Sequence, residues 1–273
     1  MELVNPMKLL LDLPHLRDLT VWRLKLEAGQ SASNAPVVSA RTEHIYESVL
    51  HVLTGAVTVQ AQTPWGGMEW PHVGGRRDVF ADLPAALYLG RDTEFEVRPE
   101  TRTADLLWAR AEVGTVLPPA LVRPEDVRVH TIGEGHYRRT VREVIGEGWP
   151  SRLRIGETIN EPGAWSSWPM HAFEKQPENA SQFEECFMYL LQPIDASKKP
   201  DECRAYQMAR GRYSDGTDVD EVRIVRHGDM ATIPLGYHPV VAGPDCRVWY
   251  WWCYLSPEDK RYGKWAEHGS SYA

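Results

Sequence analysis

The chain has 273 residues, of which 25% are charged and 42% hydrophobic, and its formal net charge is -8. This length accommodates one large domain or two ordinary ones, and the ordinary charge content argues against wholesale disorder. The excess of 38 acidic over 30 basic residues argues against a nucleic-acid-binding protein. No stretch approaches the ~18 uninterrupted apolar residues of a membrane span, and the first residues lack a signal-peptide cleavage pattern. We therefore expect a cytoplasmic protein with no nucleic-acid or membrane partner.

The predicted elements are strands almost throughout. Residues 50–59 and 248–254 are rich in β-branched and aromatic side chains, and 21 Gly and 20 Pro break the chain into short pieces. This pattern predicts an all-β fold, either a sandwich or a barrel. The four cysteines (Cys186, Cys203, Cys246 and Cys253) form no CxxC pair, so we expect buried free thiols.

Two short patterns recur in the same order along the chain. Residues 47–53 resemble residues 185–191, and residues 77–84 resemble residues 228–234. The recurrence predicts two copies of one β-unit. The connector would lie near residues 117–133, where Pro, Gly and charged residues gather. We therefore predict one domain at 1–125 and a second at 126–273.

The second copy contains the residues with the clearest chemistry. His238 ends a Gly-x5-Pro-x-Gly-x-His motif, His171 lies upstream, and Glu185 opens an apolar strand. Two imidazoles and one carboxylate on neighbouring strands can converge on Zn, Fe, Mn, Co or Ni. A single histidine is more often a hydrogen-bonded structural residue, whereas a buried Glu185 would need a cation or strong donors.

The first copy lacks this set. Counting from Pro84 and Pro234 places Tyr88 where the second copy has His238, and only Glu47 matches. We expect the first copy to be structural or to contribute to assembly.

A basic segment follows the connector. Arg142 could form a bidentate fork for a substrate carboxylate, although alternating charges more often mark a solvated strand. Arg142 and Glu143 cannot both point inward, because neighbours on a strand alternate faces. No GxSxG, GxxxxGK[ST] or helix-opening GxGxxG motif is present, so hydrolase and nucleotide-binding functions have no support.

Four segments together resemble the 5-deoxy-glucuronate isomerase family, the bicupin sugar isomerases of inositol catabolism. The family is related to 4-deoxy-L-threo-5-hexosulose-uronate ketol-isomerase. The segments are Gly-Tyr-His-Pro at 236–239, Trp-Ser-Ser-Trp-Pro at 165–169, Arg-Glu-Val at 142–144, and Val-Phe-Ala-Asp-Leu-Pro-Ala-Ala-Leu-Tyr at 79–88. The resemblance covers about residues 21–265. It implies a bicupin with two jelly-roll-like barrels and one divalent transition metal in the second.

The resemblance also implies the metal ligands and shows two departures. His171, Glu185 and His238 correspond to the family's ligands, but Phe173 stands where the family has a fourth ligand, a histidine. The final strand has Trp252 where the family often has asparagine. These changes imply an altered substrate, an altered metal or lost activity.

The family's activity would make this chain an intramolecular oxidoreductase that isomerises a deoxy sugar acid. A bound metal would polarise the carbonyl while a neighbouring base moves a proton. Glu184 neighbours Glu185 and should face the other way, which counts against it as that base. The remaining candidates are Glu174 and Tyr189 for catalysis, and Arg142, Lys175, Trp168 and Trp252 for substrate binding.

Two other functions stay open. A cupin could bind a sugar or sugar acid without turning it over, and the changes at Phe173 and Trp252 favour this hypothesis. A 2-His-1-carboxylate set also suits Fe(II) oxygenase chemistry. A homodimer formed through the first barrel is a further expectation.

Overall fold

The structure, a computed structural model, describes residues 7–9, 16, 18–33, 45–146, 148–167, 171–173, 184–212, 216–233, 237–255 and 265–267. Strands dominate this part of the chain, and its helices are single 3-10 turns at Pro124–Asp126, Gly135–Tyr137 and Pro200–Glu202. None of the helices described is long and apolar enough to cross a bilayer. The predicted all-β class is confirmed.

The chain divides into two compact units. The first comprises Met1–Asp12, Asp18–Val127 and Gly148–Leu153. The second comprises Leu13–Arg17, Arg128–Glu147 and Arg154–Ala273. The main division therefore lies between Val127 and Arg128, and the short segment Gly148–Leu153 belongs to the first unit.

The first unit is built from a path of strands ordered β1-β2-β8-β4-β6-β9, with β3, β5 and β7 attached beside it. Its strands are β1 Met7–Leu9, β2 Thr20–Glu27, β3 Ala32–Ser33, β4 Tyr46–Thr63, β5 Gly66–Arg76, β6 Ala85–Leu89, β7 Glu94–Pro99, β8 Thr103–Glu112 and β9 Ala120–Val122.

The second unit repeats this plan with sheets ordered β10-β11-β12-β20-β15-β18 and β13-β19-β16-β17, plus a β14-β21 pair. Its strands are β10 Arg128–Ile132, β11 Arg139–Ile145, β12 Leu153–Asn160, β13 Trp165–Ser166, β14 His171–Phe173, β15 Glu184–Pro193, β16 Ala205–Arg212, β17 Asp218–Val225, β18 Met230–Ile233, β19 Val240–Ala242, β20 Cys246–Leu255 and β21 Trp265–Glu267.

Strand pairing shows that the two units share one topology. In the first unit β4 pairs with β8 and β6, and in the second β15 pairs with β20 and β18. Likewise β7 pairs with β3 as β19 pairs with β13. The predicted repeat is confirmed, and each unit is a cupin-type barrel of the predicted bicupin.

The long strand β4 of the first unit corresponds to two separate strands, β15 and β16, in the second. The N-terminal half of β4 pairs with β6 and β8, and its C-terminal half pairs with β5 and β7. Gly55 lies between the halves with φ +78, and a Cβ there would lie 2.4 Å from the carbonyl oxygen of Thr103. Only glycine accommodates this bend and close approach.

Each unit has its own apolar cluster. The first includes Trp22, Leu50, Val97 and Trp108. The second includes Phe187, Tyr189 and Tyr250, with Trp252 packed against it. All four cysteines are buried and free, which confirms the expected thiols.

The register of the repeat differs from the sequence prediction by one residue. Glu185 lies on the face of β15 that contributes Phe187 to the apolar cluster, because alternate residues share a face. In β4 the cluster takes Leu50, so Ser48 shares its face and Glu47 points to the opposite one. Ser48 is therefore the counterpart of Glu185, and the prediction that Glu47 matches it is wrong.

The second recurring pattern is also displaced. Residues 77–84 contain no strand, whereas residues 228–234 include β18. The strand that pairs with β4 as β18 pairs with β15 is β6, which begins after Pro84. Tyr88 lies within β6 opposite Val49, so its predicted equivalence with His238 is wrong.

Candidate functional site

The centre of the site is a buried pair from two sheets of the second unit. Glu185 is at the start of β15, and His238 lies in the segment that leads into β19. The His238 Nε2 atom is 3.4 Å from Glu185 Oε2, and the two residues are 2% and 4% exposed. The ring of Phe187 lies edge-on to the imidazole at 5.8 Å between centroids. Burial raises the pKa of Glu185 from 4.5 to about 8.

This pair fits a divalent metal. Imidazole nitrogen and carboxylate oxygen are ordinary ligands of transition metals, and Glu185 and His238 present one of each within a buried site. A carboxylate removed from water needs a cation or strong donors. A bound metal would supply that cation, and a protonated His238 is the alternative.

Several predicted site residues lie outside what the structure describes. Trp168, Glu174 and Lys175 are among them, and for His171 and Phe173 only the backbone is described. That backbone forms β14, in which His171 is opposite Glu267 of β21. Within the described residues no group of three His, Cys, Asp or Glu side chains gathers. The third ligand therefore stays a prediction.

A second polar group surrounds Tyr189, one of the two predicted catalytic residues. Its hydroxyl donates a 2.5 Å hydrogen bond to Gln207 Oε1. Gln207 Nε2 donates to the carbonyl oxygen of His238 at 3.0 Å and to that of Pro239 at 3.3 Å. Burial raises the pKa of Tyr189 well above its ordinary value of 10, so the phenol stays protonated.

A chain of hydrogen bonds lines the neighbouring strands. Trp252 Nε1 donates to Thr158 Oγ1 at 3.1 Å, and the Tyr250 hydroxyl donates to Ser166 Oγ at 2.8 Å. Trp252 is half-buried, and a Cβ on Gly156 would lie 2.2 Å from its Cζ2 atom. The indole therefore fills the space that glycine leaves on β12.

The sheet register separates two buried arginines. Arg139 is opposite Asn160, two residues from Thr158, so it lies on the face of the sheet that holds Tyr250 and Glu185. Arg142 is opposite Glu157 on the other face, and its Nη1 atom is 3.2 Å from Glu157 Oε2. The structure thus brings Arg139, and not the predicted Arg142, to the site face. Burial lowers the pKa of Arg139, and a charge interaction with Tyr250 opposes that shift.

The first unit provides an internal comparison for these residues. Val97 pairs with Ala32 and Val59 in the first unit, as Val240 pairs with Ser166 and Gln207 in the second. Phe95 lies two residues before Val97, and His238 lies two residues before Val240. The counterparts of Glu185, Tyr189, Gln207 and His238 are thus Ser48, Val52, Val59 and Phe95.

This comparison separates the polar group from the needs of the fold. Val52, Val59 and Phe95 all belong to the apolar cluster of the first unit. The barrel therefore closes without a carboxylate, a phenol, an amide or an imidazole at these positions. Sequence reasoning noted the basic segment that contains Arg139 but chose Arg142 from it, and it missed Gln207, which belongs to no motif. Alternation from Glu143 could have pointed to Arg139, and nothing in the sequence marks Gln207.

Glu47 forms a separate buried contact in the first unit. Its Oε1 atom accepts hydrogen bonds from the Ser151 hydroxyl and from the backbone N–H groups of Arg152 and Leu153, at 2.9 to 3.0 Å. Its Oε2 atom accepts from the Tyr88 hydroxyl at 2.9 Å. These four bonds attach residues 151–153 to the sheet and assign Glu47 a structural role.

Comparison with known proteins identifies relatives along most of the chain. The chain is 28% identical over 207 residues to a 5-deoxy-glucuronate isomerase of Geobacillus kaustophilus, covering 75% of this chain and 70% of the relative. It is 26% identical over 226 residues to one from Lacticaseibacillus casei, covering 77% and 78%.

Two solved structures share the fold. An IolB-like protein from Salmonella typhimurium superposes with a TM-score of 0.76 at 23% identity, covering 93% of this chain and 89% of that one. Oxalate decarboxylase from Lactobacillus farciminis superposes with a TM-score of 0.60 at 11% identity, covering 92% and 80%. The model of the KduI/IolB family matches residues 16–269, and the chain belongs to this family.

Proposed function

We propose that this chain is a metal-dependent aldose–ketose isomerase that acts on a deoxy sugar acid. The observation that supports this most is the buried Glu185–His238 pair, which the first barrel replaces with Ser48 and Phe95. The relatives named 5-deoxy-glucuronate isomerase suggest the reaction class and the type of substrate.

Glu185 and His238 would hold the metal, and His171 is the proposed third ligand. When bound, the metal would supply Lewis-acid polarisation of a substrate carbonyl and stabilise the negative charge formed on proton loss. Three protein ligands would leave coordination positions for substrate oxygens.

Arg139 and Trp252 are the proposed substrate contacts. A guanidinium matches a carboxylate with two parallel hydrogen bonds, and Arg139 lies on the site face while Arg142 is paired with Glu157. The half-buried indole of Trp252 is fixed by its bond to Thr158 and could stack on a sugar ring. We assign no contact to Arg142. Lys175 and Trp168 remain predictions.

The proton transfer needs a base near the reacting carbons. Tyr189 is poorly suited to be that base, because its proton is committed to Gln207 and its pKa is raised by burial. We propose that the Tyr189 oxygen instead accepts a hydrogen bond from a substrate hydroxyl. Glu174 stays the proposed base.

The test is metal content followed by activity. Untagged wild-type protein, Glu185→Gln, His238→Ala and the control His136→Ala, at an exposed histidine of the same unit, would be analysed for transition metals. About one equivalent in wild type and control, with loss in the two site variants, is expected. The metal-loaded protein should then isomerise 5-deoxy-glucuronate or a related sugar acid.

Two results would redirect the proposal. Wild-type protein that neither contains metal nor binds it from a divalent-metal panel would refute the metalloenzyme. Metal binding together with sugar-acid binding but no turnover would favour a binding protein. The cytoplasmic location and the homodimer stay predictions.

A further inference from the structure

Gln207 connects the two polar parts of the site. It lies on β16 and is 3% exposed, and its carboxamide lies between the Tyr189 hydroxyl and the backbone that leads into β19. The Nε2 atom is within hydrogen-bond distance of the carbonyl oxygens of Met208, His238 and Pro239, at 2.7, 3.0 and 3.3 Å.

These partners determine which way the amide points. Backbone carbonyl oxygens only accept hydrogen bonds, so the NH2 group of Gln207 must face them. Its oxygen must then face Tyr189, and because an amide oxygen only accepts, the phenol must donate. The Tyr189 proton is therefore directed at Gln207, and the phenol oxygen keeps its acceptor capacity for another donor.

The same amide acts on the segment that contains His238. β16 already holds this segment through Met208 N–H to Pro239 and Arg210 N–H to Tyr237, at 2.9 and 2.8 Å. Gln207 adds a side-chain bond to the carbonyl oxygen of His238 itself. The backbone from which the imidazole projects is thus held on both sides, which constrains the direction of the ring toward Glu185.

The first unit shows that the barrel does not require an amide here. Val59 occupies the equivalent position on β4, opposite Val97, and belongs to the apolar cluster. A buried amide replaces an aliphatic side chain only in the unit that also has Glu185, Tyr189 and His238.

We propose that Gln207 is a positioning residue that aims the His238 imidazole and fixes Tyr189 as a hydrogen-bond acceptor for a substrate hydroxyl. The inference rests on the proposed function, because it gives His238 the role of a metal ligand. Partners that hydrogen-bond a metal-ligating ring typically alter metal affinity 10- to 100-fold when removed. Gln207 acts one step further away, through the backbone of His238, so we expect the lower end of that range.

The experiment distinguishes the hydrogen bond at the amide oxygen of Gln207 from those at its amide nitrogen. Gln207→Met removes the bonds to both His238 and Tyr189, whereas Tyr189→Phe removes only the phenol bond. Gln192→Met is the control, since Gln192 contacts Arg247 on the same unit. Dissociation constants for Zn²⁺ and Mn²⁺ would be measured by calorimetry on metal-free protein. Circular dichroism would confirm folding, and Gln207→Val, which copies Val59, would replace a Gln207→Met protein that fails to fold.

We expect Gln207→Met to weaken metal binding tenfold or more, and Tyr189→Phe and Gln192→Met to change it less than twofold. With the sugar acid, Tyr189→Phe should raise KM more than it lowers kcat. A folded Gln207 variant with wild-type metal affinity would overturn the inference.

Wild-type protein that binds no metal of the divalent-metal panel would refute the proposed function, and a separate measurement then tests the role of Gln207. Urea-unfolding midpoints of Gln207→Met, Tyr189→Phe and the double variant form a cycle. A double-variant shift smaller than the summed single shifts would support the bond that fixes Tyr189. Additive shifts would overturn it.

Discussion

Replacement of Glu47 by alanine should destabilise the first unit strongly. The substitution removes the acceptor for four donors: the Tyr88 and Ser151 hydroxyls and the backbone N–H groups of Arg152 and Leu153. A buried donor left without its acceptor costs about 1–3 kcal/mol. Ser151 Oγ already accepts from the Leu153 N–H, so their losses are partly compensated. Two to three full losses at about 1–3 kcal/mol each predict a decrease of at least about 2 kcal/mol in the free energy of unfolding.

Glu47→Gln is the matched variant, because its amide keeps one oxygen to accept and offers an N–H to the Tyr88 oxygen. Burial raises the pKa of Glu47 above 4.5 despite these hydrogen bonds, so folding disfavours its charged form relative to the unfolded chain. We expect Glu47→Gln to lower the free energy of unfolding by less than about 1 kcal/mol at pH 7. Because the folded pKa exceeds the unfolded one, wild-type stability should rise relative to Glu47→Gln as the pH falls toward 4.5.

Urea unfolding followed by tryptophan fluorescence would measure these differences, with the exposed Glu69→Ala as a surface control. The control should change the free energy of unfolding by about 0.5 kcal/mol or less. A Glu47→Ala protein within about 1 kcal/mol of wild type would refute the reasoning, because that is below the cost of two orphaned buried donors. A Glu47→Gln protein as unstable as Glu47→Ala would also refute the reasoning.

Three further outcomes are expected. Gly156→Ala should displace the Trp252 indole and strain the β11–β12 pair, because the new Cβ would lie 2.2 Å from the indole and 2.6 Å from the Arg142 carbonyl oxygen. A shifted tryptophan emission with weaker sugar-acid binding would show the displacement. Arg139→Met should raise KM for a sugar acid tenfold or more, because it removes a charge-assisted hydrogen bond. Arg139→Lys should restore part of the affinity for the substrate, and an unchanged KM in Arg139→Met would exclude this contact. In protein stripped of metal by a chelator, stability should fall as the pH rises from 5 to 8, because burial raises the folded pKa of Glu185 to about 8 against 4.5 unfolded, and Glu185→Gln should reduce that slope in urea titrations.

The sequence by itself determined the class of fold and the region of the site. Dense β-branched and aromatic runs with frequent Gly and Pro predict strands, because such side chains suit a pleated surface and the turn residues end it. The Gly-x5-Pro-x-Gly-x-His motif and an acidic strand start singled out His238 and Glu185, which the structure places 3.4 Å apart. Their binding of a metal stays a prediction.

Only the tertiary structure decided the register and the distant partners. Glu47 and Arg142 each lie on the face opposite to the one predicted, because side chains alternate every residue and a count across loops cannot determine the phase. Gln207 reaches Tyr189 in the other sheet and His238 beside the neighbouring strand β19, across 18 and 31 positions of sequence. No local pattern records such contacts, since strand pairing alone brings β16 beside β19 and orients an amide into the barrel where the first unit has Val59.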